Sequence, residues 1–264
     1  MILDRILADT RGDLPQRKRD VPASELESAC AEQTPPLDLL AALRAPGVGV
    51  IAECKRASPS KGPLNLGLAP SEMALTYAQA GCAALSILTE PRYFRGSGQD
   101  LREARESLAS AGCPRPLLRK DFIVDRYQLL EARAWGADAA LLIVAALSDA
   151  KLSELFAAAV GLGLTPLIEV HNAAELGRAL ALDPPLIGVN NRNLHDFGVS
   201  LKTTRALRPL IPEGIVVVSE SGIHQPEQLR ELADMGVDAA LVGESLVTAD
   251  DPAAQLRALR EAGR

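Results

Sequence analysis

Residues 215–245, IVVVSESGIHQPEQLRELADMGVDAALVGES, hold an apolar run, an amphipathic segment and a second apolar run. The first and last runs have the length of buried parallel strands. Pro226 falls where a first helical turn tolerates proline, and Gly236 is placed to end that helix just before AALVGES. The unit is therefore strand, helix, strand. Its junction MGVDAAL is echoed by WGADAAL at 135–141 and AGCAAL at 80–85, so the same helix end, tight loop and strand start recur along the chain.

Working outward gives eight such cycles. The spacing predicts strands over 48–54, 84–90, 116–121, 139–146, 164–170, 186–191, 215–221 and 239–245. Helices are predicted near 71–80, 100–111, 126–135, 149–162, 172–182, 200–209, 226–235 and 252–262, with Gly81, Gly112, Gly136, Gly163 and Gly236 at helix ends and Asp149 near an N-cap. Strict alternation with short loops implies a parallel sheet, and eight units favour closure into a (β/α)8 TIM barrel over an open doubly wound sheet. The expected organisation is one domain over 1–264. Residues 1–47 form an N-terminal helical extension with helices near 2–10 and 37–44 joined by a polar segment. That extension is placed either to cover the barrel bottom or to fold over its mouth.

Composition narrows the class. With 264 residues and 47% hydrophobic content the chain can bury a large core. A net charge of -6 argues against a general nucleic-acid binder, because an acidic surface repels phosphates. Cys30, Cys54, Cys82 and Cys113 are scattered, with no CxxC pair and no histidine cluster, so neither a metal site nor a disulfide framework is expected. No apolar stretch reaches the roughly 18 residues of a membrane span, and the N-terminus is not signal-like. The chain reads as soluble and cytoplasmic.

Five apolar runs end on polar groups: Glu53 with Lys55, Lys120, Glu169, Asn190 and Glu220. In a barrel these meet at the C-terminal strand ends, where catalytic groups sit. A charge after an apolar run is often only the first solvated loop residue, but a carboxylate inside such a run is costly unless paired. Lys55, Lys120 and Arg192 supply three cations for Glu53, Glu169 and Glu220. Lys120 admits Schiff-base chemistry or general acid catalysis; surrounding carboxylates hold a lysine as ammonium and favour the acid. Asn190 and Arg192 share a face, and the guanidinium suits a planar carboxylate or merely neutralises a glutamate.

The loops add anion contacts. Ser58, Ser60, Lys61 and Gly62 follow Glu53-x-Lys55 as a candidate lid. Gly222 and Gly243, after the last two strands, allow close backbone approach to a phosphate. Glu244 should turn its side chain away while a backbone N–H there donates. Phe94 and Phe122 are notable because aromatics make up only 3% of the chain, and both suit an aromatic ligand. Glu169 can act as acid or base. His171, His195 and His224 read as loop or supporting residues and are left outside the site.

Taken together, IAECKRASPSKG, LTEPRYFRGS, LLRKDFIVDRYQL, LIEVH, IGVNNRNL, VSESGI, LVGESL and the N-terminal ILDRILADTR resemble the indole-3-glycerol phosphate synthase family over nearly the whole chain. The resemblance implies conversion of 1-(2-carboxyphenylamino)-1-deoxyribulose 5-phosphate to indole-3-glycerol phosphate, with loss of carbon dioxide and water and no metal or organic cofactor. It implies Lys120 as the acid for ring closure, Glu169 as the partner for dehydration, and Lys55, held by Glu53, on a substrate carboxylate or hydroxyl. Asn190, Glu220 and Ser221 would orient sugar hydroxyls and ammonium groups. Ser58, Gly222, Gly243 and the backbone at Glu244 would take the phosphate, Arg192 the benzoate, and Phe94 and Phe122 the ring. Glu90-Pro91 departs from the usual Asp-Glu and bears on the loop after the second strand. An unfused monomer is expected. The alternatives are a Schiff-base aldolase on the same barrel and a non-catalytic phosphate-ligand binder.

Overall fold

The computed structural model describes residues 2–193 and 196–264. Eight parallel strands close into a barrel: β1 (Gly49–Cys54), β2 (Ala84–Leu88), β3 (Leu117–Lys120), β4 (Ala139–Ile143), β5 (Thr165–Val170), β6 (Leu186–Asn190), β7 (Val216–Glu220) and β8 (Ala239–Val242). Each pairs with its sequence neighbours, and β1 closes the ring by pairing both β2 and β8. The predicted (β/α)8 barrel is the observed fold. The runs at 139–146 and 239–245 each lose three residues at their ends, because Val144–Ala146 turn into a 3-10 helix beyond Ile143 and a short helix starts at Glu244.

Three helices precede the barrel: α1 (Ile2–Asp20), α2 (Ala23–Glu32) and α3 (Leu39–Leu43). Around it run α4 (Pro70–Ala80), α5 (Gly98–Ser110), α6 (Arg126–Ala134), α7 (Asp149–Gly161), α8 (Ala173–Leu180), α9 (Lys202–Leu207), α10 (Pro226–Asp234), α11 (Glu244–Val247) and α12 (Pro252–Ala262). All five helix-ending glycines have φ between 64° and 91°, the left-handed cap geometry. The N-cap of α7 is Ser148, whose hydroxyl accepts from Lys151 N–H; Asp149 is the first helical residue.

The alternation of strand side chains separates two cores. Ile51, Ala84, Leu118, Leu141, Leu167, Val218 and Leu241 fill the barrel interior, whereas Val50, Ala52, Leu85, Leu117, Leu142, Ile168 and Val217 pack outward against the helices. The repeated aspartate of the junction phrase closes the bottom rim. Asp138 Oδ2 accepts from Leu117 N–H at 2.7 Å, and Asp238 Oδ2 accepts from Val217 N–H at 2.8 Å, each tying a strand to its neighbour.

The extension differs most from expectation. Instead of ending near residue 10, α1 runs through Pro15 to Asp20, and the supposed polar segment contains α2. Leu3, Ile6, Leu7, Thr10 and Leu14 form a buried stripe, so tertiary packing outweighs the proline penalty. Charged residues on α1 grip the barrel: Asp9 accepts from Tyr93 Oη–H at 2.6 Å, Asp13 pairs with Arg92, Arg17 with Glu131 and Lys18 with Asp125. α2 lies against α6. α3 inserts Leu39 and Leu43 among Ala84, Ala139, Leu186, Val216 and Ala239, which begin their strands. Burying each leucine contributes about 1.5–3 kcal/mol. The extension thus meets the mouth with α1 and plugs the bottom with α3, combining the two expected roles.

Candidate active site

At the C-terminal end of the barrel lies an open cavity of about 1150 Å³ including its entrance. Every residue singled out for the site lines it: Glu53, Lys55, Ser58, Phe94, Lys120, Phe122, Glu169, Asn190, Arg192, Glu220, Ser221, Gly222, Gly243 and Glu244. Strand parity explains the convergence, because Glu53, Lys120, Glu169, Asn190 and Glu220 each occupy an inward position at a strand end.

Lys120 is the centre of charge. Its Nζ lies 3.3 Å from Glu169 Oε2 and 3.5 Å from Glu220 Oε2. Burial alone would lower its pKa, but Glu169, Glu220 and Glu53 outweigh that and hold it above the ordinary lysine value. Lys55 Nζ meets Glu53 Oε1 at 2.6 Å. Glu169 is pushed up by burial, but Lys120, His171 and Asn190 more than reverse this and keep it below the usual carboxylate range. Glu220 goes the other way. Burial, with the nearby charges of Glu169 and Glu53, raises it to about 8 against the pull of Lys120.

That asymmetry corrects the expected charge balance. Arg192 meets none of the three carboxylates among the described residues; it donates from Nη1 to Ser60 Oγ at 3.3 Å and to Phe197 O at 3.4 Å. Two ammonium groups therefore face three glutamates, and Glu220, only 1% exposed, has no hydrogen bond to either oxygen among the described residues. Arg192 is left facing the cavity and is not a neutraliser.

The mouth is bridged by the loop after β1, which folds as a small antiparallel hairpin, Ala57–Ser58 with Gly62–Pro63. Its Ser60 meets Arg192, and Lys61 Nζ lies 3.5 Å from Glu244 Oε1. The Glu244 side chain is thus drawn toward a lysine at the rim, while Glu244 opens α11, the short helix after β8. Gly243 has a second reason to be glycine: a Cβ there would lie 2.4 Å from Glu53 Oε1 and 3.0 Å from Lys55 Nζ. Ser221 and Gly222 are consecutive left-handed residues, at φ 66° and 83°, turning the chain sharply off β7.

Phe94 and Phe122 face each other with ring centroids 6.0 Å apart. Glu90 places the former, since its buried carboxylate accepts from Arg92, Tyr93 and Phe94 N–H groups at 2.9, 2.6 and 3.0 Å. At the departure Glu90-Pro91 it is the Glu90 carboxylate that shapes this loop. Asp121 Oδ1 accepts from Phe122 N–H at 2.8 Å.

Sequence inspection missed two groups. Ile2, Leu3 and Ile6 bring an apolar wall from α1 to the cavity, and the i, i+4 and i, i+3 spacing of Ile2 and Leu3 to Ile6 was the available signal. His171, left outside the site as a loop or supporting residue, has Nε2 3.3 Å from Glu169 Oε1 and Nδ1 3.0 Å from Glu175 Oε2. His224 lines the outer cavity, and His195 lies outside the described residues.

A barrel whose mouth gathers an ammonium among buried carboxylates of divergent proton affinity is built as an acid–base enzyme for a small molecule. A family model for indole-3-glycerol phosphate synthase matches residues 3–259. The chain is 48% identical over 262 residues to an indole-3-glycerol phosphate synthase of Roseiflexus castenholzii, covering 98% of this chain and 97% of the relative. It is 52% identical over 211 residues to one from Bordetella pertussis, covering 80% and 79%. The chain belongs to the indole-3-glycerol phosphate synthase family, with that carboxy-lyase activity in tryptophan biosynthesis and a phosphorylated small-molecule substrate. Solved structures share the fold alone: a 3-hexulose-6-phosphate synthase superposes with TM-score 0.64 at 15% identity, covering 82% of this chain and 100% of its own. A thiamine phosphate pyrophosphorylase from Pyrococcus furiosus gives 0.60 at 17%, covering 85% and 97%. No described helix is long and apolar enough to cross a membrane.

Proposed function

We propose that Lys120 is the proton donor of ring closure and Glu169 the proton acceptor of the dehydration that follows. The observation that carries this is the placement of Lys120 Nζ within 3.5 Å of both Glu169 and Glu220, which keeps the amine protonated. An ammonium can give a proton to the substrate ketone oxygen as the aryl carbon attacks, and it is not the free amine that a Schiff base requires. Loss of carbon dioxide restores the aromatic ring. Glu169, held as a carboxylate, then takes the proton released in dehydration, while a lysine returns one to the departing hydroxyl as water leaves.

The remaining residues bind and orient. Lys55, steadied by Glu53, faces the substrate carboxylate or a hydroxyl, and Asn190, Glu220 and Ser221 orient the sugar. Ser58, Gly222, Gly243 and the Glu244 N–H hold the phosphate; Arg192, free of carboxylate partners among the described residues, takes the benzoate. Phe94, Phe122 and the α1 wall enclose the ring. In this reading residues 1–264 act as one domain with 1–47 as its extension, as a cytoplasmic monomer that needs no cofactor.

The test is turnover of 1-(2-carboxyphenylamino)-1-deoxyribulose 5-phosphate by EDTA-treated protein, followed by the indole chromophore, with borohydride added in a parallel sample. Indole formation with no mass adduct is the expected result. A reduced substrate adduct on Lys120 would instead establish the aldolase-type alternative and remove the general-acid role.

A further inference from the structure

Behind Glu169 stands a pair that the reaction scheme does not use. The His171 Nδ1 lies 3.0 Å from Glu175 Oε2, and the His171 backbone N–H donates to that same oxygen at 2.8 Å. Glu175 is fixed in turn, because Asn172 donates to its Oε1 at 2.6 Å as it caps α8. The ring is therefore clamped at Nδ1, and Nε2, buried and without a hydrogen bond among the described residues, lies 3.3 Å from Glu169 Oε1, within ion-pair distance. Glu169 Oε2 faces Lys120. One carboxylate thus has an ammonium beside one oxygen and an imidazole beside the other.

We propose that His171, held by Glu175, is a positioning residue that keeps Glu169 ionised and turned so that Oε2 faces Lys120. This rests on the role of Glu169 as proton acceptor. With Nδ1–H given to Glu175, a neutral imidazole would turn a lone pair on Nε2 toward the carboxylate, whereas the imidazolium presents N–H and positive charge. The titratable groups facing the ring are Glu169 from its own strand, Glu175 from α8 and Glu220 from β7; Val144, where the turn after β4 passes α8, is apolar. Glu169 and Glu175, held as carboxylates, favour the charged ring, and Glu220 adds to them only as it ionises near pH 8. Burial opposes them, yet the net effect is an imidazole pKa above its usual value. His171 therefore offsets part of the desolvation that would otherwise protonate Glu169.

The test is the pH profile of kcat/KM for H171Q and E175Q beside the parent chain. H171Q keeps much of the ring's length without its charge, and E175Q preserves every volume while withdrawing the charge that stabilises the imidazolium. Activity should fall on the acid side as Glu169 takes up a proton. That limb should move upward by about one pH unit in H171Q, the order expected for losing one charged neighbour. E175Q should move it less, in the same direction. Acid limbs at the parental position in both variants overturn the inference, since a merely space-filling histidine predicts that result. E169Q distinguishes the two levels: if it is inactive while the limbs stay put, only the His171 role fails, and if it keeps parental kcat/KM, the role of Glu169 fails with it.

Discussion

Arg119 and Lys120 are consecutive on β3, yet they enter two buried charge clusters built on opposite principles. Arg119 points outward and is 0% exposed. Its guanidinium donates to Thr89 Oγ1, Gln128 O, Glu131 Oε2 and Asp121 Oδ2, and it stacks 4.4 Å from the Trp135 ring centre. Arg17 from α1 completes the pairing of Glu131, so two cations answer two carboxylates and the hydrogen bonding is closely filled. Lys120 points inward to a cluster in which, among the described residues, two lysines and the His171 ring stand among three glutamates and neither oxygen of Glu220 has a hydrogen bond. A cluster with its partners supplied holds the wall and α1 together. The inner one is left for a substrate to complete, and the mismatch drives the carboxylates to different proton affinities.

The sharpest way to break this comparison is K120M. It should lower kcat by several orders of magnitude, from general-acid and electrostatic contributions of about 10² to 10⁴ each. Near-parental turnover in a stopped-flow or steady-state assay would place Lys120 with the structural cluster. R119M should do the reverse. Removing one partner of a buried ion pair costs about 3–5 kcal/mol, or roughly 10 °C in melting temperature for a chain of this size. The folded fraction should retain kcat near the parent's, which calorimetry and the same assay would check together.

The smallest effect concerns pH. Glu220 is raised to about 8 in the folded chain from an ordinary 4.5. The folded state therefore binds this proton more tightly than the unfolded state, so the group's contribution to stability is complete below about pH 4.5 and lost as pH rises to about 8. Urea midpoints of the parent should fall more steeply from pH 6 to pH 9 than those of E220Q, by on the order of 1 kcal/mol, since the neighbours titrate with it. Parallel slopes would mean that Glu220 is satisfied after all.

The barrel was legible because its signals are local. Apolar runs, helix-ending glycines and the GVDAAL-type junction each depend on a few adjacent residues, and the eight strands stand where those signals put them. The site was legible for a related reason: on a strand, inward direction follows from parity. The second half of α1 and all of α2 were not, since Pro15 and a polar composition argue locally against helices that only packing on the barrel sustains. Arg192 was left open between a planar ligand carboxylate and a neutralised glutamate, because position along a strand does not say where a long side chain ends. His171 was undervalued since its partner Glu175 lies four residues on, in a helix whose first turn folds back over the strand end.

By itself, the sequence determined the order of elements, their approximate limits, the closure of eight units and the set of side chains gathered at one end, all consequences of periodicity and chain direction. Only the tertiary structure decided which charges face one another. It alone shows that Lys120 is shared between Glu169 and Glu220, that Glu220 has no hydrogen bond among the described residues, that Gly243 makes room for the Glu53–Lys55 pair, and that α1 reaches the mouth while α3 seals the base. Electrostatic balance in a buried site depends on distances of a few ångströms between residues remote in the chain, and those distances exist only once the barrel has closed.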